Sequence, residues 1–247
     1  MKKPLLLAVI TLSTILISFS QKEDEQCIPL IGERAPSFNQ VSTMGNINFP
    51  LGYSGKWKIL FSHPGDFTAI CSTEILELAD MQDDFTNLNT SIFVISTDGL
   101  NSHLEWIRSL ESIESDGKKA VKINFPLISD TDMSISKKYG MIHQYSSTTK
   151  DIRGVFIINP DDKIAAIFYY PNKIGRNMEE IKRTLIALQT VEKYNVLTPV
   201  NWEPGEDVMI PSPVTIEDSK KLEDNKDKDT YMKTWYMWYK KLPNIDK

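Results

Sequence analysis

Apolar and polar positions along this chain alternate between two rhythms. Lys58-Ile59-Leu60-Phe61-Ser62 and Ser91-Ile92-Phe93-Val94-Ile95-Ser96 are short, nearly continuous apolar runs, the pattern of buried strands. Phe125–Ser129 is a shorter run of the same kind. Between and after them the spacing turns helical. Ser72-Thr73-Glu74-Ile75-Leu76-Glu77-Leu78 opens an amphipathic helix with acidic residues in its early turns, reaching to about Leu88. A second helix from His103 to about Ile113 is expected to share Leu104, Ile107, Leu110 and Ile113 on one face. Met133–Tyr139 reads as a short helix ended by Gly140, and Met178–Glu192 as a longer one with Ile181, Leu185 and Leu188 in a stripe. Arg153–Ile158 and Lys163–Tyr169, separated by Asn159-Pro160-Asp161-Asp162, form an antiparallel hairpin; Ser37 to Phe49, turning at Met44-Gly45-Asn46, forms a smaller one at the N-terminal side. Strands alternating with helices, plus a hairpin, predict an α/β fold with a mixed sheet.

Both ends depart from this pattern. Lys2 and Lys3 precede an apolar and hydroxylated stretch from Pro4 to Phe19, with small residues at Ser18 and Ser20. That is the layout of a secretory signal peptide cleaved before Gln21, and the stretch is at the short end of the about 17–25 residues that span a bilayer. The expected product is exported, periplasmic or extracellular; the alternative is a membrane anchor left uncleaved. Beyond Leu197, Pro199, Pro204, Pro211 and Pro213 forbid a continuous helix, and helical spacing resumes only near Thr215. Leu197–Lys221 is expected to be an arm too small for its own core. The aromatic tail with Tyr231, Trp235, Tyr236, Trp238 and Tyr239 either packs on an interface or is a poorly ordered terminus. The resulting division is a signal peptide over 1–20, a flexible segment over 21–27, the main domain over 28–192, and an arm and tail over 193–247.

At 247 residues the chain can bury one substantial core, and nothing in its formal charge of −5, with basic residues dispersed, suggests a nucleic-acid groove, so no nucleic-acid partner is expected. His103 and His143 have no cysteine or carboxylate partner at metal-ligand spacing, so no metal or other cofactor is expected. The chemistry rests on two cysteines, Cys27 and Cys71. Cys71 follows a strand broken by Pro64-Gly65 and stands at a helix start, where unpaired backbone N–H groups and the helix dipole favour the reactive thiolate. The competing reading is a small hydrophobe packed in the core. Cys27 would be a structural disulfide partner, an adventitious thiol or a resolving partner of Cys71; a lipid anchor there is disfavoured by the intervening Glu23-Asp24-Glu25-Gln26.

Pro64, Thr68 and Cys71 spell Pro-x-x-x-Thr-x-x-Cys, and Arg153 opens the strand Gly154-Val155-Phe156-Ile157-Ile158. Together with Phe125-Pro126-Leu127-Ile128-Ser129-Asp130, Lys138-Tyr139-Gly140-Met141 and Gly175-Arg176-Asn177, these segments resemble the peroxiredoxins over roughly Ile28 to Lys221. The resemblance implies a thioredoxin-like fold with a mixed central sheet, an N-terminal hairpin and a C-terminal dimerisation arm. It implies a thiol-dependent peroxidase acting on hydrogen peroxide and organic hydroperoxides, with Cys71 as nucleophile passing through a sulfenic acid. Thr68, Pro64 and Arg153 complete the site, with His63, Glu74 and Arg176 in support. Each has a plainer role available: Thr68 as helix cap, Pro64 as turn former, Arg153 as surface ion-pair residue, His63 as a packed ring bonded to backbone, and Glu74 as a charge favouring the helix start. The two-cysteine members carry a Val-Cys-Pro motif where this chain reads Leu197-Thr198-Pro199-Val200. The one-cysteine branch is therefore implied, with an external thiol reductant (thioredoxin-like, glutathione or another dithiol) unless Cys27 resolves, in a homodimer or larger ring. An oligomeric redox sensor or holdase on the same fold is the alternative function. No Gly-Asp-Ser-Trp-Gly lipase motif occurs.

Overall fold

A computed structural model of the chain describes residues 28–113, 120–224 and 228–242. The stretch over 1–20 read as a signal peptide, the 21–27 segment and Cys27 lie outside the described residues. The main body is a seven-stranded mixed sheet in the order β2-β1-β5-β4-β3-β6-β7. Its members are β1 (Phe38–Ser42), β2 (Gly45–Phe49), β3 (Trp57–Ser62), β4 (Thr90–Ser96), β5 (Leu127–Ser129), β6 (Arg153–Ile158) and β7 (Ile164–Tyr170). β3, β4 and β5 run parallel; β6 is antiparallel to β3 and forms the expected hairpin with β7. The N-terminal hairpin of β1 and β2 adds to β5 at the opposite edge.

Every residue of β3 and of β6 is buried, because both sheet faces are covered. The period-2 alternation of a strand divides them between two cores. Ile59, Phe61, Val94, Val155 and Ile157 face α1 (Ala69–Asn87), α2 (Leu100–Leu110) and α4 (Met178–Tyr194). Leu60, Phe93, Ile95, Phe156 and Ile158 face the hairpin residues Phe38 and Phe49 and the region of α3 (Ser134–Lys138). Gly140 ends α3 with φ +63, a conformation that glycine adopts without a Cβ penalty.

One expectation from the hydrophobic pattern is corrected. α2 begins at Leu100, and its buried face is His103, Trp106 and Leu110; Leu104 and Ile113 are exposed. The register differs because the large Trp106 and the internally bonded His103 face the sheet, which an aliphatic stripe does not reveal. The C-terminal segment packs on α4 rather than around a core of its own. β8 (Val208–Met209), α5 (Ile216–Asp224), β9 (Thr230–Thr234) and β10 (Met237–Lys240) follow α4, and the strands form a small sheet in the order β8-β10-β9. Trp202, Val208 and Val196 pack with Ala187 of α4, so the segment builds its core by sharing a helix with the main body. The aromatic tail supplies β9 and β10, with Trp238 and Tyr239 buried. Among the described residues no helix is long and apolar enough to cross a membrane.

Candidate active site

β3 ends at Ser62, and residues 63–68 carry the chain into α1 with Cys71 in its first turn. The antiparallel register pairs Phe61 with Val155, which brings the start of β6, and so Arg153, beside that loop. Ser62 fastens the two strand ends: its Oγ donates to the Ile152 carbonyl at 2.7 Å and accepts from the Gly154 N–H at 2.9 Å. A Cβ at position 154 would lie 3.0 Å from that oxygen, so glycine permits the close approach.

The thiol of Cys71 is fully buried. Nη1 of Arg153 lies 3.3 Å from Sγ and 2.8 Å from Oε2 of Glu74. Nε and Nη2 of Arg153 donate to the Asn172 carbonyl at 3.2 and 2.9 Å, fixing the plane of the guanidinium. Arg176 braces Glu74 from the other side, through its backbone N–H (2.9 Å) and Nε (3.1 Å) to Oε1 and through Nη2 to Oε2 (2.7 Å). Its Nη1 donates to the carbonyls of Ser62 and Gly154, both at 2.9 Å, and its guanidinium lies over the Phe61 ring. Glu74 thus accepts from four donors. Burial pushes its carboxyl up, but the charge and hydrogen bonds of Arg176, then the charge of Arg153, outweigh this and hold it below the usual range. Two guanidiniums against one carboxylate leave one positive charge beside the sulfur, which a thiolate neutralises.

The geometry narrows the roles that the sequence left open for four of the inferred site residues. Arg153 is not a surface ion-pair residue, being 2% exposed. Glu74 lies past the first turn of α1, which holds no acidic residue, and is committed to the two arginines rather than to the helix start. Thr68 is the N-cap by backbone geometry, yet its hydroxyl makes no capping bond; Oγ1 donates to the Gly65 carbonyl at 2.8 Å and keeps its lone pairs free to accept. His63 is not bonded to backbone: among the described residues neither ring nitrogen has a hydrogen-bond partner. Burial lowers its pKa to about 4, so the ring is neutral at neutral pH, and 3.7 Å to Asp66 is no ion pair. It packs against the Trp106 ring at 5.1 Å. Pro64 is half-buried in the loop ahead of α1.

Sequence reasoning missed several parts. The Asn172, Ser62 and Gly154 carbonyls that orient the arginines have no side-chain signature. His103 acquires a carboxylate partner, Asp66, across 37 residues, a separation that spacing arguments do not reach.

Comparison with known proteins follows this geometry. The AhpC/TSA family matches residues 31–167, and the C-terminal domain of 1-Cys peroxiredoxin matches residues 187–226. A peroxiredoxin of Methanosarcina mazei is 47% identical over 215 residues, covering 87% of this chain and 98% of that protein. Peroxiredoxin 2 of Caldanaerobacter subterraneus is 43% identical over 87% of this chain and 95% of its own length. Among solved structures, the yeast mitochondrial 1-Cys peroxiredoxin superposes with a TM-score of 0.75 at 33% identity, over 87% of this chain and 100% of that one. Peroxiredoxin 6 of Arenicola marina gives 0.75 at 30% identity, over 87% and 98%.

Proposed function

The chain belongs to the peroxiredoxin family and reduces peroxides through a catalytic cysteine, and from that premise we propose that Cys71 is that cysteine, working in a one-cysteine cycle closed by an external thiol. The observation that carries the assignment is the Arg153 guanidinium, at once 3.3 Å from the buried Sγ and bonded to Glu74. The thiolate attacks one peroxide oxygen; an S–O bond forms, the O–O bond breaks, and water or an alcohol leaves after taking a proton. Arg153 stabilises charge on the oxygens as the bond breaks, in a site already dry and already oriented. The free lone pairs of Thr68 accept from the hydroperoxide O–H, and Pro64, lacking an N–H, shields the sulfur. Glu74 and Arg176 act by holding Arg153, while His63 contributes a neutral, packed ring.

The absence of cysteine between Leu197 and Gly205 supports an external reductant. So does the similarity to a one-cysteine enzyme whose thiol is resolved via glutathione/thioredoxin systems. Export, a homodimer or larger assembly through the C-terminal segment, and the division at residue 193 belong to the same reading. They are supported by the Lys2-Lys3 and apolar N-terminal pattern and by the exposed Val200, Val214 and Ile216. Mass analysis of peroxide-treated protein tests the cycle. The expected product is a sulfenic or over-oxidised Cys71 with Cys27 free; a Cys27–Cys71 linkage makes Cys27 the resolver and overturns the one-cysteine cycle.

A further inference from the structure

Cys71 is closed to solvent, yet the proposed cycle brings its sulfur two partners of different size. A hydroperoxide needs to bring only its terminal oxygen to the sulfur. An external thiol must bring a sulfur and its carbon chain to bonding distance, which calls for the first turn of α1, with Cys71 in it, and the loop that leads into it to move. What holds residues 63–68 in place therefore governs the second half of the cycle.

That loop has three tethers. The Asp66 N–H donates to Oδ2 of Asp98 at 2.8 Å, and Oδ1 of Asp98 holds Nζ of Lys150 at 2.7 Å. The Asp66 carboxylate meets Nδ1 of His103 on α2 at 2.9 and 3.0 Å. Thr68 closes the loop on itself through Gly65. Within the loop, Phe67 has φ +55 with its ring exposed, a costly conformation for a bulky residue. The closed loop is thus strained and held by its tethers.

The His103 tether has a defined proton count. Nε2 lies 3.2 Å from the Ile128 carbonyl, which only accepts, so Nε2 carries a proton. Nδ1 faces a carboxylate, so one further proton lies between Nδ1 and Asp66. The His103 and Asp66 side chains are 0% and 2% exposed, which makes this a charge-assisted bond in a dry setting.

We propose that the Asp66–His103 pair is the clasp of the Cys71 loop: fastened, it keeps Cys71 against Arg153 for peroxide; released, it admits the external thiol to the sulfenic acid. The inference rests on the reading of Cys71 as the peroxidatic cysteine. In the admitted step the incoming thiol sulfur attacks the Cys71 sulfur, an S–S bond forms, the S–O bond breaks, and the hydroxyl leaves as water with the thiol's proton. A second thiol then attacks the incoming sulfur, releasing reduced Cys71 and a disulfide of the two reductant sulfurs. Asp66 and His103 touch neither peroxide nor thiol; they are positioning residues.

The test separates the half-reactions in the full chain carrying Cys27→Ser, so that one thiol reports. Stopped-flow oxidation by hydrogen peroxide and reduction of the sulfenic form by dithiothreitol are measured for Asp66→Asn and His103→Gln. Loosening the clasp should slow oxidation about tenfold and speed both reduction and maleimide labelling of the reduced thiol about tenfold, the scale of one charge-assisted hydrogen bond. Rates that fall together in both half-reactions, or that do not change, overturn the proposal. Lys150→Met removes only the outer strut of Asp98 and should move the rates in the same opposite senses, by about two- to threefold, which keeps the test open if the buried variants do not fold. If Cys71→Ser retains turnover, the clasp and the Cys71 assignment both fall; if it loses turnover while the clasp variants leave both rates unchanged, only the clasp falls.

Discussion

At the scale of single residues, the site depends on where charge is and is not tolerated. Arg153 uses three nitrogens on Sγ, Glu74 and the Asn172 carbonyl, and a lysine ammonium cannot reproduce that fork. Arg153→Lys should therefore lower the peroxide rate roughly 10²-fold although the charge is kept, measured by stopped-flow oxidation; an unchanged rate would remove Arg153 from the chemistry. Two buried groups set the pH dependence of stability with opposite signs. His63 is lowered to about 4 by burial, so between about pH 6.5 and 4 the unfolded chain binds a proton that the folded one refuses, and stability falls with acid. Asp151, fully buried and with neither carboxylate oxygen in hydrogen-bond geometry among the described residues, is raised to about 8, chiefly by burial and further by Asp130, with the Ser136 hydroxyl opposing. Between about pH 4 and 8 the folded chain keeps a proton that the unfolded one has lost, so stability falls with alkali. The two slopes oppose one another below about pH 6.5, and only the Asp151 slope persists from there to about pH 8. Asp151→Asn should remove that slope and stabilise the protein by a few kcal/mol at pH 8 (~1.4 kcal/mol per unit as an upper bound) with little effect near pH 4. Urea unfolding across pH reads this directly, and an unaltered slope from pH 6.5 to 8 would assign the titration elsewhere.

At the scale of elements, helix α1 begins without the side-chain cap that its N-cap threonine would ordinarily supply. The Thr68 hydroxyl donates to Gly65 and keeps its lone pairs free to accept, so stability and activity are expected to separate at this position. Thr68→Val should change stability by no more than ~1 kcal/mol, one modest hydrogen bond, while slowing peroxide oxidation at least tenfold; Thr68→Ser should restore most of the rate. Equal losses in both measurements would return Thr68 to a capping role. The same separation explains what the sequence made legible. Strands β3, β4 and β6 declared themselves by continuous apolar runs, because burial on both faces leaves no polar alternation to misread. Cys71, Thr68 and Arg153 were singled out by local spacing and family motifs, and the fold sets Arg153 on Cys71. The face of α2 was not, because Trp106 and His103 are buried for reasons of volume and hydrogen bonding rather than aliphatic periodicity. The partners of the arginines were illegible in a different way: backbone carbonyls carry no residue identity, and the sheet register that delivers them is a property of two strands together.

At the scale of the molecule, the C-terminal segment is a second, smaller packing unit hung on the far part of α4. Trp202 is fully buried, donates its indole N–H to the Glu206 carbonyl at 3.1 Å, and offers its own carbonyl to Arg183 at 2.9 Å. The segment therefore reaches the main body through Ala187 and Arg183, whereas the residues around Sγ come from α1, β6 and the turn before α4. Packing so divided predicts divided consequences. Trp202→Ala should cost the segment about 3–5 kcal/mol, the range for a buried aromatic truncation, and produce an early unfolding transition seen in near-ultraviolet circular dichroism. Peroxide oxidation should stay within about twofold of the parent rate, since none of the groups bonded to Cys71 moves. Val200, Val214 and Ile216 stand exposed on this segment. If they form the subunit contact, the same variant, and Ile216→Glu without loss of folding, should shift the protein toward monomer in light scattering while the first oxidation proceeds. A collapse of the oxidation rate in Trp202→Ala would instead make the segment part of the active site, and an unchanged mass in Ile216→Glu would move the subunit contact to another face.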